Sequence, residues 1–158
     1  ARRQRQMCIR DSIHAAPILL ITGAGGAFGA ILKATPLGAY LGETLSALGI
    51  GIFMPFIVAA ALKTAQGSTT VALVTTSALV APMLGQLGLD SEMGRVLTVM
   101  AIGAGAMTVS HANDSFFWVV SQFSRMKVAT AYQAQTLATL VQGIAGIITV
   151  WLLSLVLL

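Results

Sequence analysis

Ser110-His111-Ala112-Asn113-Asp114-Ser115 packs a carboxyl, an imidazole, an amide and two hydroxyls into six residues. The run lies inside an otherwise apolar stretch at about 96–120, VLTVMAIGAGAMTVSHANDSFFWVV. An ionisable group within a membrane segment is costly, and by default it marks a functional site. Upstream, Gly103 and Gly105 let backbones approach closely; downstream, Phe116, Phe117 and Trp118 restore apolarity. The pattern reads as a broken helix whose unwound section presents side chains and amides to a polar ligand. Asp114 is a candidate proton carrier, because burial disfavours the charged form of a carboxyl. His111 is the second candidate, because an imidazole exchanges its proton in the physiological range. Ser110 and Asn113 are candidates for hydrogen bonding a substrate. The alternative is a polar loop at the membrane surface, with the three aromatics as an interfacial belt.

Gln66-Gly67-Ser68-Thr69-Thr70 is the second constellation. A helix starting here has Ser or Thr at its N-cap and free N–H groups beyond it. Such an end attracts anions, because the amides and the helix dipole both favour negative charge. Lys63 adds a cation nearby. An ordinary helix–helix turn with a capping Ser stands beside that reading. A third run, Gly23-Ala24-Gly25-Gly26-Ala27-Phe28-Gly29, superficially resembles a phosphate loop. It lacks the strand-to-helix context and the Lys-Ser/Thr ending of one. Close helix packing in a membrane is one reading of Gly23, Gly25 and Gly26, and unwinding at a cavity is the other.

The remaining chemistry-bearing residues exclude more than they suggest. Cys8 stands alone, and His14 and His111 are far apart, so neither a disulfide framework nor a metal site is expected. No Ser-His-Asp spacing, paired carboxylates or Cys nucleophile points to an enzyme, and no cofactor is implied. Met54, Met83, Met93, Met100 and Met107 read as packing residues.

Composition explains what must position these groups. Hydrophobic residues make up 56% of the 158-residue chain and charged residues 9%, against roughly 25% charged in soluble domains. A soluble fold could not cover its surface with so few charges. The net charge of +4 is carried by Arg2, Arg3, Arg5 and Arg10, and no basic patch with aromatics follows, so nucleic acid is excluded as a partner. Residues 1–12, ARRQRQMCIRDS, are polar and lack a following h-region, so they make a poor signal peptide. A cytoplasmic basic flank is one reading. A foreign or mistranslated stretch is preferred, because QMCIRDS looks like translated sequencing-adapter DNA. The missing initiator Met fits a fragment.

Five apolar stretches follow, at about 15–32, 45–62, 69–89, 96–120 and 136–158. Only the last reads as an uninterrupted transmembrane helix, which needs about 20 apolar residues. The other four carry Gly-rich or polar breaks. Broken backbone is tolerated in a membrane where it is buried in protein or lines a wet cavity, which is how secondary transporters build their sites. The stretches 45–62 and 69–89 form either two full spans or a re-entrant hairpin with Ser68, Thr69 and Thr70 at its tip; the hairpin is preferred. Arg125 and Lys127 occupy the link at 124–133 without an acid. The positive-inside rule puts that link in the cytoplasm and the C-terminus outside.

Three long runs, ITGAGGAFGAILKATPLG, PFIVAAALKTAQGSTTVALVTT and MTVSHANDSFFWVVSQF, resemble in order the C-terminal part of the gluconate permease family, GntP type. The resemblance covers residues 13–158, the expected membrane transport domain. It implies proton-coupled uptake of gluconate or related sugar acids and hydroxy acids through the bacterial inner membrane. It also implies an all-α polytopic fold, the C-terminal repeat of an ion-transporter-type architecture in which a re-entrant hairpin meets a broken helix at the substrate. Carried over residue by residue, the hairpin tip matches Gly67, Ser68, Thr69 and Thr70. The broken helix matches Gly103, Gly105, Ser110, His111, Asn113 and Asp114. The first repeat of the family pattern has no counterpart here, so the chain is expected to be the last third of a carrier. The implied partners are a small organic acid, protons and the lipid bilayer; a homo-oligomer is left open. The rival from another class is a non-transporting membrane interaction or assembly subunit, and a channel or a soluble enzyme is weaker still.

Overall fold

The computed structural model describes residues 50–158, together with Leu20, Gly23 and Ala27 of the first apolar stretch. The readings made for residues 1–12, Gly25 and Gly26 lie outside the described residues. Gly23 is helical and exposed.

The described residues contain helices and no strand. Helix α1 is Phe53–Gln66 and α2 is Thr69–Val80, extended by a 3-10 turn at Ala81–Met83. Helix α3 is Glu92–Ala106, α4 is Ser115–Phe123, and α5 runs through thirty residues, Val128–Leu157, with one π-helical turn at Tyr132–Thr136. Helix α5 is the one described helix long and apolar enough to cross a membrane.

The helix ends follow from local chemistry. Helix α1 stops where Gly67 turns left-handed (φ 71°) and its N–H donates to the Lys63 carbonyl at 2.8 Å. Glycine takes that conformation without a Cβ penalty. Ser68 then caps α2, accepting from the Val71 N–H. Ser91 caps α3, accepting from the Gly94 N–H at 3.0 Å. Asp114 caps α4, its Oδ1 accepting from the Phe116 N–H at 3.0 Å.

Three boundaries differ from the sequence reading. Lys63-Thr64-Ala65-Gln66 was expected in a link and instead forms the last turn of α1, because Lys, Ala and Gln are good helix formers and nothing stops the helix before Gly67. Helix α5 starts at Val128, not near 136. Its first turns are rich in Ala and Gln, both good helix formers whatever their hydropathy. Gly103 and Gly105, expected at the helix break, lie inside α3; the break begins at Met107.

Helix α3 is central and packs against α1, α2 and α5. Ala59, Ala72, Ile102 and Ala106 form one buried cluster where α1, α2 and α3 meet. Ile52, Leu89, Leu97, Ala101, Ile147 and Val150 form a second between α1, α3 and α5. Met54, Val80 and Met83 close a third, so α1 and α2 run antiparallel, with early α1 beside late α2. Small residues let the backbones meet. A Cβ at Gly105 would strike the Phe56 carbonyl of α1, and one at Gly143 of α5 would strike the Thr108 side chain.

Gly105→Ala is therefore expected to force α1 and α3 apart and to cost about 1–3 kcal/mol. Gly103→Ala, which meets nothing within 4 Å, should leave stability unchanged or raise it slightly. Thermal unfolding of the two variants in detergent separates them; equal midpoints would refute the close approach.

Candidate functional site

Two irregular points of the backbone come together: the tip joining α1 to α2, and the segment Met107–Asp114 between α3 and α4. Lys63, in the last turn of α1, is 2% exposed. Its Nζ donates to Asp114 Oδ2 at 2.6 Å and to Thr69 Oγ1 at 3.0 Å. The Ser110 hydroxyl donates to the same Oδ2 at 2.6 Å. With the Phe116 N–H on Oδ1, the Asp114 carboxylate accepts three hydrogen bonds. A buried charge pair needs such extra bonds to offset its desolvation.

The tip and the break also touch through backbone. Asn113 Nδ2 donates to the Thr64 carbonyl at 2.7 Å. Gly67 is buried against Asn113, whose carbonyl occupies the space a Cβ would fill. Only glycine tolerates both that contact and the positive φ.

Helix α5 satisfies the unwound backbone. Ser110 N–H donates to Thr139 Oγ1 at 3.0 Å, and Thr136 Oγ1 donates to the Ser110 carbonyl at 2.6 Å. Ala112 N–H donates to the Tyr132 hydroxyl at 3.3 Å, and Trp118 Nε1 donates to the Ala112 carbonyl at 2.7 Å. Asp114 N–H closes a turn onto the His111 carbonyl at 2.8 Å. Val109 sits at φ 53°, a left-handed conformation strained for a β-branched residue. Freed N–H and C=O groups in a non-aqueous setting need partners of this kind.

The structure thus brings Gly67, Thr69, Ser110, Asn113 and Asp114 into one hydrogen-bonded cluster. Ser68 is half-buried at the start of α2, and Thr70 beside it is exposed. His111 is half-buried, and its ring enters none of the bonds above. Of the aromatics after the break, Phe117 is fully buried and Phe116 exposed. No group of His, Cys, Asp and Glu able to hold a metal exists among the described residues. An open cleft lined by Ile50, Phe53, Leu87 and Trp151 lies at the other end of α1 and holds none of these groups.

Lys63, a cation near Ser68–Thr70 by sequence, is paired with Asp114 in the structure. The signal was available. Lys63 is the one basic residue between Lys33 and Arg95, and Asp114 the one acid after Glu92. Charges in apolar segments pair with each other. Tyr132, Thr136 and Thr139 went unnoticed because they precede or open the plain apolar span. Gln135, on the same buried face, has an amide with no partner among the described residues.

Removing one member of the pair leaves a buried charge alone. Lys63→Met is expected to cost about 3–5 kcal/mol, and adding Asp114→Asn should restore most of the loss. The exposed Arg95–Asp90 pair, at 2.7 Å, is a control whose disruption should cost at most about 1 kcal/mol. Unfolding by denaturant in micelles measures all four proteins; a double variant no more stable than Lys63→Met would rule out the pairing.

The GntP family permease model matches residues 3–156. A gluconate permease of Pseudomonas aeruginosa is 36% identical over 143 residues, covering 90% of this chain and 31% of that protein. The low-affinity gluconate transporter of Escherichia coli K12 is 36% identical over 132 residues, 83% of this chain and 29% of that one. The D-serine transporter DsdX of the same strain is 37% identical over 142 residues, 89% and 31% of the two chains. The chain thus spans under a third of the length of these curated relatives. No solved structure matches it.

Proposed function

The chain belongs to the GntP family of permeases, and on that premise we propose that it forms the substrate-gating part of a proton-coupled carrier for gluconate or a related sugar or hydroxy acid in the bacterial inner membrane. The observation that carries this reading is the buried Lys63–Asp114 pair, which ties a helical tip to a helix break inside apolar sequence. The relatives' names support the substrate class, since gluconate and D-serine are both carboxylates that carry hydroxyl groups.

Element lengths support the re-entrant reading. Helices α1 and α2 have 14 and 12 residues, about 21 and 18 Å at 1.5 Å per residue. A hydrocarbon core of about 30 Å exceeds either. Together they enter and return as a hairpin with Gly67-Ser68 at the tip. Helices α3 and α4, of 15 and 9 residues, are similarly too short alone and form one span broken at 107–114. The described part is then a hairpin, a broken span and one full span, α5.

In this mechanism the substrate carboxylate sits at the N-terminus of α2, held by N–H groups and hydroxyls of Ser68, Thr69 and Thr70. Asn113 and Ser110 read its hydroxyls. Asp114 carries the coupling proton, with His111 the alternative carrier. Asp114 holds three hydrogen bonds in the described conformation, so taking a proton goes with withdrawal of Lys63. That withdrawal releases the tip from the break and supplies the alternating step.

The test is gluconate uptake by a full-length carrier containing this chain, driven by an imposed proton gradient. Accumulation should rise as the outside is acidified, and Asp114→Asn should abolish accumulation against a gradient. Normal proton-driven accumulation in Asp114→Asn would remove Asp114 as the carrier. His111→Gln then tests the alternative.

A further inference from the structure

We infer that Lys63 is the cation that binds the substrate carboxylate, and that it does so by exchanging carboxylates with Asp114 as Asp114 takes up a proton. The inference rests on the carrier reading above and names how its two ligands are coupled.

The argument starts from charge balance in a buried space. Lys63 and Asp114 are 2% and 3% exposed, and their pair is neutral as a unit. An anion entering alone would leave the site with an uncompensated negative charge, which a buried site does not tolerate. A proton entering with it solves the problem. Before binding, the Lys63 ammonium faces the Asp114 carboxylate. Afterwards the ammonium faces the substrate carboxylate, and Asp114 is a neutral acid. One anion and one proton enter, no covalent bond other than the O–H on Asp114 forms, and the site's net charge is zero throughout.

The geometry permits the swap. Lys63 Nζ already has a second ligand on the tip, Thr69 Oγ1 at 3.0 Å. It therefore stays anchored beside the α2 N-terminus when Asp114 lets go. Asp114 also keeps partners after protonation: Ser110 Oγ at 2.6 Å and the Phe116 N–H at 3.0 Å. A hydroxyl can reverse its donor role toward a protonated carboxyl. Among the described residues, the other ionisable groups facing this junction are few. His111 lies in the same break, and Tyr132 of α5 reaches it through the Ala112 N–H. Helix α2 has no ionisable side chain, α4 adds none beyond its cap Asp114, and Glu92 and Arg95 sit at the far end of α3. Lys63 is the one described cation at the junction.

The experiment uses a full-length carrier containing this chain, purified, with gluconate as the probe. Calorimetry in buffers of differing ionisation enthalpy counts protons taken up on binding. The wild-type protein should take up one proton per gluconate near neutral pH. Lys63→Met should weaken binding about 10–100-fold, the range expected for loss of charge-assisted hydrogen bonds, and Lys63→Arg should recover part of it. Asp114→Asn should bind gluconate with no proton uptake and a pH-independent Kd. Wild-type binding without proton uptake overturns the exchange, as does unchanged affinity in Lys63→Met. The wild-type proton count keeps the idea testable if a variant does not fold. A carrier that binds no sugar acid at all overturns the functional reading and this inference together. Proton-driven gluconate uptake combined with unchanged affinity in Lys63→Met sinks this inference alone.

Discussion

A lysine and an aspartate 51 residues apart in sequence hold the described helices together at a buried polar junction. Neither charge is tolerable alone, because each is almost completely buried and an unpaired buried ion is costly. Their pairing dictates the surroundings. The end of α1 must lie against the start of α4, so the tip after Gln66 and the break after Ala106 occupy one place. Gly67 must be glycine to fit beneath Asn113. Ser110 must turn inward to supply the third bond on the carboxylate. The packing of α1 against α3, where Gly105 meets the Phe56 carbonyl, brings the two segments close enough for the bond to form.

The unwound segment is stabilised from outside itself. Three of its backbone bonds run to Tyr132, Thr136 and Thr139 on the first turns of α5, and a fourth to Trp118 of α4. The π-helical turn at Tyr132–Thr136 lies within that contact. A π turn inserts one extra residue and shifts the face that follows. Here the same helix presents polar groups to the break in its first three turns and an apolar face to α3 thereafter. The helix long and apolar enough to cross a membrane is thus also the scaffold for the irregular backbone beside it.

Much of this was legible in the sequence for a simple reason: polar residues are rare in it. Ser68–Thr70 and Ser110–Asp114 stand out against apolar surroundings, and both occupy the junction. Capping chemistry placed Ser68 at the start of α2, as Gly67 and Ser68 would suggest. The isolated charges of Lys63 and Asp114 point to a pair, but the geometry that joins them over 51 residues is decided by how α1 and α3 pack. Apolarity also misjudged two boundaries. It ended α1 too early at Lys63 and started α5 too late, since helix propensity does not depend on hydrophobicity. Close backbone approach, expected of Gly103 and Gly105, occurs at Gly105 alone, and neither glycine lies in the break itself. A glycine's effect on a helix depends on what lies opposite it, and a single strand of sequence does not contain that.

The link between α1 and α2 is two residues long, Gly67 and Ser68. Such a short connection leaves no slack, and Lys63 and Thr69 are further joined across it. The two helices are therefore mechanically one lever. Taken about the far end of α1, its arm is about 21 Å, so a swing of about 10° carries the tip roughly 4 Å. A hydrogen bond of 2.6 Å does not survive that displacement. A rotation of that size at the apolar end, near Met54 and Val80, would therefore be enough to break the ionic contact at the polar end.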